Sequence, residues 1–352
     1  MIKPSLDSKV LTVGCSCSNP RGGIAVVLNN YKKYVYSRFN YVANSTNGNS
    51  LENALFLLIA IPWFLFKLLC CRRVKLVHIH TASNRSFMRS AIFVRIAHCF
   101  HKKVLIHIHG GRFMIYYNRK TSFVEKIINK CDGIITLSTE WESFFKDKFP
   151  SIPVYVLENV IAPPEIIPTK NDDVLHLLYL GLITKQKGIY DLLEVISENH
   201  IDLKGKLMLH IAGNGETEQL TNLITNRKLN DCVKYEGWVN GLRKTELLNA
   251  CDVFILPSYN EGLPISILEA MSYHKPIIST PVGGIPSVVD HGINGILFTP
   301  GDHTELKNAL NTYINNPQLI DSHGEESAKR VAPFLPENVA NKLSAIYENY
   351  LN

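Results

Sequence analysis

SYNEGLPISILEAMSYHKPIISTPVGGIPSVVDHGINGILFTPG, residues Ser258 to Gly301, decides how the rest of the chain is read. It carries two carboxylates, Glu261 and Glu269, eight residues apart, and Gly262, Leu263 and Pro264 follow the first. A proline at the first helical position has no amide proton to lose, so Pro264 is expected to open a helix through Ile265, Leu268 and Met271. Glu261 then lies in the loop before it. Helical side chains lean toward the N-terminus, so Glu269, about one and a half turns in, brings its carboxylate toward the same mouth. The amides from Gly262 to Ile265 and the positive end of the helix dipole suit a phosphate. Carboxylates that accept from sugar hydroxyls, beside amides that donate to phosphate, suit a nucleotide sugar. The plain alternative is a pair of solvated helix-end charges.

The stretch resembles the donor-binding signature of retaining family 4 glycosyltransferases of the GT-B fold: an E-x7-E pattern within EGLPxxxxEAM, then a PVGG loop and G-x-x-G. The resemblance is specific from Tyr179 to Gly301 and loose before Ala162. It implies an α/β protein with two Rossmann-like domains facing a central cleft. Residues 1–162 would bind the acceptor and residues 163–335 the nucleotide sugar, while a C-terminal helix, 336–352, crosses back to the first domain. By the same resemblance, Glu261 accepts from donor-sugar hydroxyls and Glu269 from the ribose. Lys187 and the amides at Gly262, Leu263, Pro264 and Ile265 hold the diphosphate side, though proline itself offers no N–H. Where the family reads G-R-x-x-x-x-K-G, this chain has Leu182 in place of the arginine, and Lys185 is a possible substitute. Gly22 and Gly23 match the loop that meets the donor from the first domain. His109, in an HxHG run, matches the histidine near the donor sugar and acceptor. The backbone around Gly237 and Trp238 matches the contact to the base, with Trp238 as a core residue the alternative. His109, Glu261 and Lys187 are the expected catalytic group.

The activity implied is transfer of a hexose or N-acetylhexosamine from a nucleotide diphosphate sugar, UDP favoured over GDP, to an acceptor hydroxyl with retention. A lipid-linked glycan in surface-polysaccharide assembly is the expected acceptor. A GT-B nucleotide-sugar epimerase and a non-catalytic sugar-nucleotide or membrane-binding protein are the rivals. Metal-dependent transferases present a D-x-D pair, and none occurs here, so activity without a divalent metal and without a cofactor is expected. Gly213-Asn214-Gly215 starts a dinucleotide fingerprint, but Glu218 stands where its third glycine should be, which excludes NAD.

At 352 residues the chain is long for one core, and 46% hydrophobic with 19% charged residues is the make-up of a globular protein. The eight cysteines lack zinc-type spacing, and no secretory signal stands at the start, so a reduced cytoplasmic setting is expected. Charge is unevenly spread: residues 1–160 hold 22 Lys and Arg against 8 Asp and Glu, or +14, whereas 161–352 hold 15 against 23, or −8. A basic half could meet nucleic acid, an anionic bilayer or a phosphorylated acceptor. No nucleic-acid motif accompanies it, so no nucleic-acid partner is expected.

Along the first half, Lys9 to Val13, Leu76 to His80, Lys103 to His109, Asp132 to Ser138 and Val154 to Asn159 read as strands alternating with helical runs, the pattern of a parallel sheet whose ligands sit beyond the strands' carboxyl ends. His107 shares a strand face with His109, and His78, His80 and His107 read as core histidines, with His80 a possible lining residue. Ala54 to Phe66, ALFLLIAIPWFLF, contains Pro62 and is too short to span. It is either a buried helix or a segment dipping into a membrane interface, with Arg72 and Arg73 meeting lipid phosphates. Pro163, Pro164, Pro168 and Asn171-Asp172-Asp173 mark a linker, with the boundary near Pro163. In the second half, strands at Leu175, Leu207, Val233, Cys251, Pro276 and Gly295 alternate with helices, and a last helix, Pro336 to Tyr350, shows Val339, Leu343, Ile346 and Tyr350 on one face.

Overall fold

Twelve short runs become strands among the described residues of the computed structural model, which are 1–18, 23–46, 48–109, 113–167 and 173–351. Gly22, the Gly110-Gly111-Arg112 run and the linker residues Pro168, Asn171 and Asp172 lie outside them. The chain divides into two units, Met1–Ala162 with Pro333–Asn352, and Pro163–Ala332.

The first unit's sheet comprises β1 (Val10–Cys15), β2 (Tyr41–Ser45), β3 (Leu76–Thr81), β4 (Lys103–Ile108), β5 (Gly133–Thr136) and β6 (Val154–Val156), in spatial order β2-β1-β3-β4-β5-β6. The second unit's comprises β7 (Leu175–Leu180), β8 (Leu207–Ala212), β9 (Val233–Gly237), β10 (Val253–Leu256), β11 (Ile277–Ser279) and β12 (Gly295–Leu297), in order β12-β11-β10-β7-β8-β9. All neighbouring strands pair parallel. Parallel strands need crossover helices, which cover both faces, and accordingly every residue of β3, β5 and β10 is buried. Each order reverses once, between β1 and β3 and between β7 and β10, which is where such sheets open a crevice. Sequence periodicity misses β2, whose YVANS has no apolar alternation and which pairs only at the sheet edge.

The helix Pro336–Leu351 belongs to the first unit, burying Val339, Leu343, Ile346 and Tyr347. Tyr350 is half-buried, its hydroxyl donating to the Asp132 carbonyl at 3.1 Å. The eight cysteines are all free thiols.

The apolar run after Asn49 becomes one helix, Ser50–Cys70, and passes through Pro62. Its start is well capped: Asn49 Oδ1 accepts from the amides of Leu51 and Glu52 at 2.9 and 3.0 Å, and Glu52 Oε2 accepts from the Asn49 amide at 3.1 Å. Proline is tolerated because Pro62 and Leu58, whose carbonyl loses its partner, both lie on the exposed side. A wholly buried helix is therefore the wrong expectation. Asn53, Ala60, Phe64 and Leu68 face the core, while Leu55, Leu58, Ile59, Trp63, Phe66 and Leu69 are exposed on the opposite face. Among the described residues only this helix is long and apolar enough to cross a membrane, by length and composition.

Candidate active site

The loops that leave β7 and β10 lie side by side at the second sheet's reversal. After β7 the chain makes a single 3-10 turn, Lys185–Lys187, and then Gly188 at φ +69°. A Cβ on Gly188 would sit 1.9 Å from the carbonyl oxygen of Pro257, just after β10, so only glycine lets the two loops close up. The Tyr259 amide completes the link by donating to the Gln186 carbonyl at 2.9 Å.

This approach brings Lys187 Nζ to 2.5 Å from Glu261 Oε1, and Ser258 Oγ donates to the same oxygen at 2.7 Å. The Glu261 side chain is 8% exposed, and a carboxylate so buried requires a cation beside it. The turn after β11 braces the loop from the other side. Gly283 (φ +58°) has no room for a Cβ, which would meet the Glu261 carbonyl oxygen at 2.1 Å, and the Gly284 amide donates to the Gly262 carbonyl at 2.5 Å. Gly262 is exposed, and Leu263, Pro264 and Ile265 are half-buried.

The helix begins one residue later than expected, at Ile265, and ends at Ser272. Pro264 is its N-cap rather than its first residue: the ring holds φ at −67°, but ψ of 123° is extended, and its carbonyl accepts from the Leu268 amide at 3.4 Å. Glu269 lies buried on this helix, with Oε1 accepting from Lys244 Nζ at 2.7 Å. Lys244 comes from the helix Gly241–Ala250. The two carboxylates of the E-x7-E pattern thus carry separate lysine partners. Neither pairing is visible in the sequence, because Lys187 and Lys244 lie 74 and 25 residues before their acids.

Leu182 is exposed, and its carbonyl accepts from Tyr179 Oη at 2.8 Å. Burial, and then the Glu261 charge, push the Tyr179 phenol up. Lys185 is exposed and lines a surface hollow with Gln186, Tyr190, Asp191, Glu194 and Tyr259. Gly237 ends β9 at φ +76°, and Trp238 is 59% exposed, so the reading of Trp238 as core falls.

In the first unit Gly23 opens the helix Gly23–Asn30. His109 directly follows β4, its amide held by the Thr81 carbonyl at 2.9 Å. Its Nδ1 faces Asn159 Oδ1 at 3.2 Å and its Nε2 faces His80 Nδ1 at 2.8 Å. Burial holds His109 down at about 4, although the Asn159 oxygen pulls it back toward protonation. Burial likewise sets His78 at about 3 and keeps His80 and His107 well below the ordinary histidine range. All four are neutral imidazoles at physiological pH.

Residues 166–330, nearly the whole second unit, match the family of glycosyl transferases group 1. An uncharacterised glycosyltransferase of Methanocaldococcus jannaschii is 27% identical over 349 residues, covering 92% of this chain and 86% of the relative. Sucrose-phosphate synthase of Thermosynechococcus elongatus superposes with a TM-score of 0.75 over 97% of this chain and 98% of its own, at 17% identity. The chain has the GT-B fold, and its second unit matches the group 1 glycosyl transferases. HepE of Anabaena, solved in complex with UDP, has the same fold, with a TM-score of 0.73 at 17% identity over 97% of this chain and 100% of its own.

Proposed function

We propose that this protein is a glycosyltransferase that moves a hexose or N-acetylhexosamine from a UDP-sugar to an acceptor hydroxyl with retention and without a divalent metal. The observation that carries the donor site is the Lys187–Glu261 pair at the reversal between β7 and β10, set against the start of the helix Ile265–Ser272. Lys187 and the amides of Gly262, Leu263 and Ile265 meet the diphosphate, whose negative charge grows as the glycosyl bond breaks. Glu261 Oε1 is taken by Lys187 and Ser258, leaving Oε2 to accept from a sugar hydroxyl. Glu269, fixed by Lys244, accepts from the ribose, and Gly237 and Trp238 border the base. Gly22 and Gly23 are further proposed donor contacts, and Lys185 is the candidate second cation. His109, a neutral imidazole, meets the donor sugar or acceptor by exchanging its Asn159 hydrogen bond for one to a substrate oxygen. The bond from C1 to the phosphate oxygen breaks, the bond from C1 to the acceptor oxygen forms on the same face, and the acceptor proton passes to the departing phosphate. No protein base is then required.

UDP is favoured over GDP because HepE, with this fold, was solved with UDP. A lipid-linked glycan acceptor at the cytoplasmic face of the membrane is supported by the exposed apolar stripe of Ser50–Cys70, next to exposed Arg72 and Arg73. Thermal melts with UDP, GDP, ADP and CMP and their sugar conjugates test the donor site, since a ligand bound only by the folded state raises the midpoint. A shift with UDP and its conjugates is expected, unchanged by Mg2+ or Mn2+. No shift with any nucleotide would sink the donor assignment, and a changed free sugar released without acceptor would point to an epimerase.

A further inference from the structure

His78 and His80 on β3, and His107 and His109 at the end of β4, all project from one face of the first sheet, because strand side chains alternate. The β3–β4 register sets His80 directly beside His107. Ring centroids lie 4.3 Å apart for His78 and His80, 4.8 Å for His80 and His107, and 4.1 Å for His107 and His109. His78, His80 and His107 are at most 1% exposed.

The hydrogen bonds set the protons. With Asn159 presenting Oδ1, His109 donates through Nδ1, so its Nε2 is a lone pair that accepts from His80 Nδ1–H. His80 Nε2 is then unprotonated, buried, and without a hydrogen-bond partner among the described residues. His107 Nε2 has none either. Two unpartnered ring nitrogens in one buried block are a heavy desolvation cost unless something binds them. One nitrogen from each of His78, His80 and His107 lies within 4.8 Å of the others.

We propose that His78, His80 and His107 form a binding site for a divalent transition-metal ion, with three imidazole nitrogens as its protein ligands. An all-nitrogen donor set selects zinc, cobalt, nickel or copper over magnesium or calcium, which prefer oxygen. Metal-bound imidazoles are usually oriented through their second nitrogen, and here His80 Nδ1 is held by His109 and His78 Nδ1 by Tyr347 Oη at 2.6 Å, while His78 Nε2, which faces His107 Nδ1 at 3.3 Å, exchanges that contact for the ion. Because burial keeps the rings neutral, binding displaces no proton at physiological pH. Tyr347 lies on the C-terminal helix, so the site ties that helix to the sheet of its own unit. This inference does not depend on the transfer reaction, and the donor-site ion pairs play no part in it.

Tag-free protein would be stripped with a chelator and titrated with Co2+, followed by its visible ligand-field bands, and with Zn2+, followed by the melting midpoint. Saturable bands at one Co2+ per chain, displaced by Zn2+, and a raised midpoint with Zn2+ but not Mg2+ are expected. His80→Ala and His107→Ala should abolish both signals, while alanine at the exposed His98 and His101 leaves them intact. Absence of cobalt bands in the unmutated chain overturns the proposal whatever the variants do, as does their loss in the His98 and His101 control.

Discussion

Glu261 is held from three sides: Lys187 and Ser258 take Oε1, and the Gly283 turn presses on its backbone. Removing Lys187 therefore has two separable effects. It takes a cation from the growing charge of the leaving group, expected to lower kcat/KM by about 100-fold to 1000-fold. It also leaves a buried carboxylate unpaired, expected to cost about 3–5 kcal/mol of stability. Lys187→Ala combined with Glu261→Gln should recover most of the melting midpoint but none of the activity, and recovery of both would reduce the pair to a structural role. Lys185→Ala, at an exposed position beside Asp191 and Glu194, is expected to lower kcat/KM less than about tenfold, the effect of losing roughly 1 kcal/mol of exposed electrostatics. The two acids were legible by their spacing, and Lys187 and the glycines by their likeness to the family's motif positions. Ser258, Lys244 and Asn159 were not, and His80 stood only as a core histidine or possible lining residue, since each acts through a partner that only folding brings near.

Among the elements, the helix Ser50–Cys70 separates packing from surface along one sequence run. Positions 53, 60, 64 and 68 pack inward, while 55, 58, 59, 63, 66 and 69 are open, an arrangement that helical periodicity permits and composition hides. Leu58→Glu with Ile59→Glu should abolish co-sedimentation with vesicles containing phosphatidylserine, yet move the melting midpoint by little, because both side chains are already about 69% exposed. Equal sedimentation of the variant and the parent chain would remove the membrane assignment. Sequence reading framed this run as either buried or interfacial because hydropathy counts residues without saying which face the core occupies.

At the scale of the whole molecule, the neutral histidine block makes stability depend on pH. His78, His80, His107 and His109 are depressed in the folded chain, whereas unfolded histidine titrates near 6.5. The unfolded state then binds more protons below that value, so stability is greatest above about pH 7 and falls as pH drops through 6.5 toward 4, by about 1.4 kcal/mol per pH unit for each imidazole. Melts in chelator between pH 8 and pH 5 should show a steep acid-side loss, and a flat midpoint across that range would mean the block is not neutral. The H-I-H pattern at 78–80 and again at 107–109 was visible in the sequence, but not that a parallel register stacks the two.

By itself, the sequence determined what depends on local spacing: two runs of strands and helices, the loop and helix that carry Glu261 and Glu269, and the glycine-framed Lys187 turn. These follow from periodicity, proline and glycine conformation and the reach of neighbouring side chains. Tertiary structure alone decided which lysine serves which acid, which face of the Ser50–Cys70 helix stays open, and that four histidines share one buried face. Those are contacts between residues distant in the chain, set by strand order and register, which no local pattern encodes.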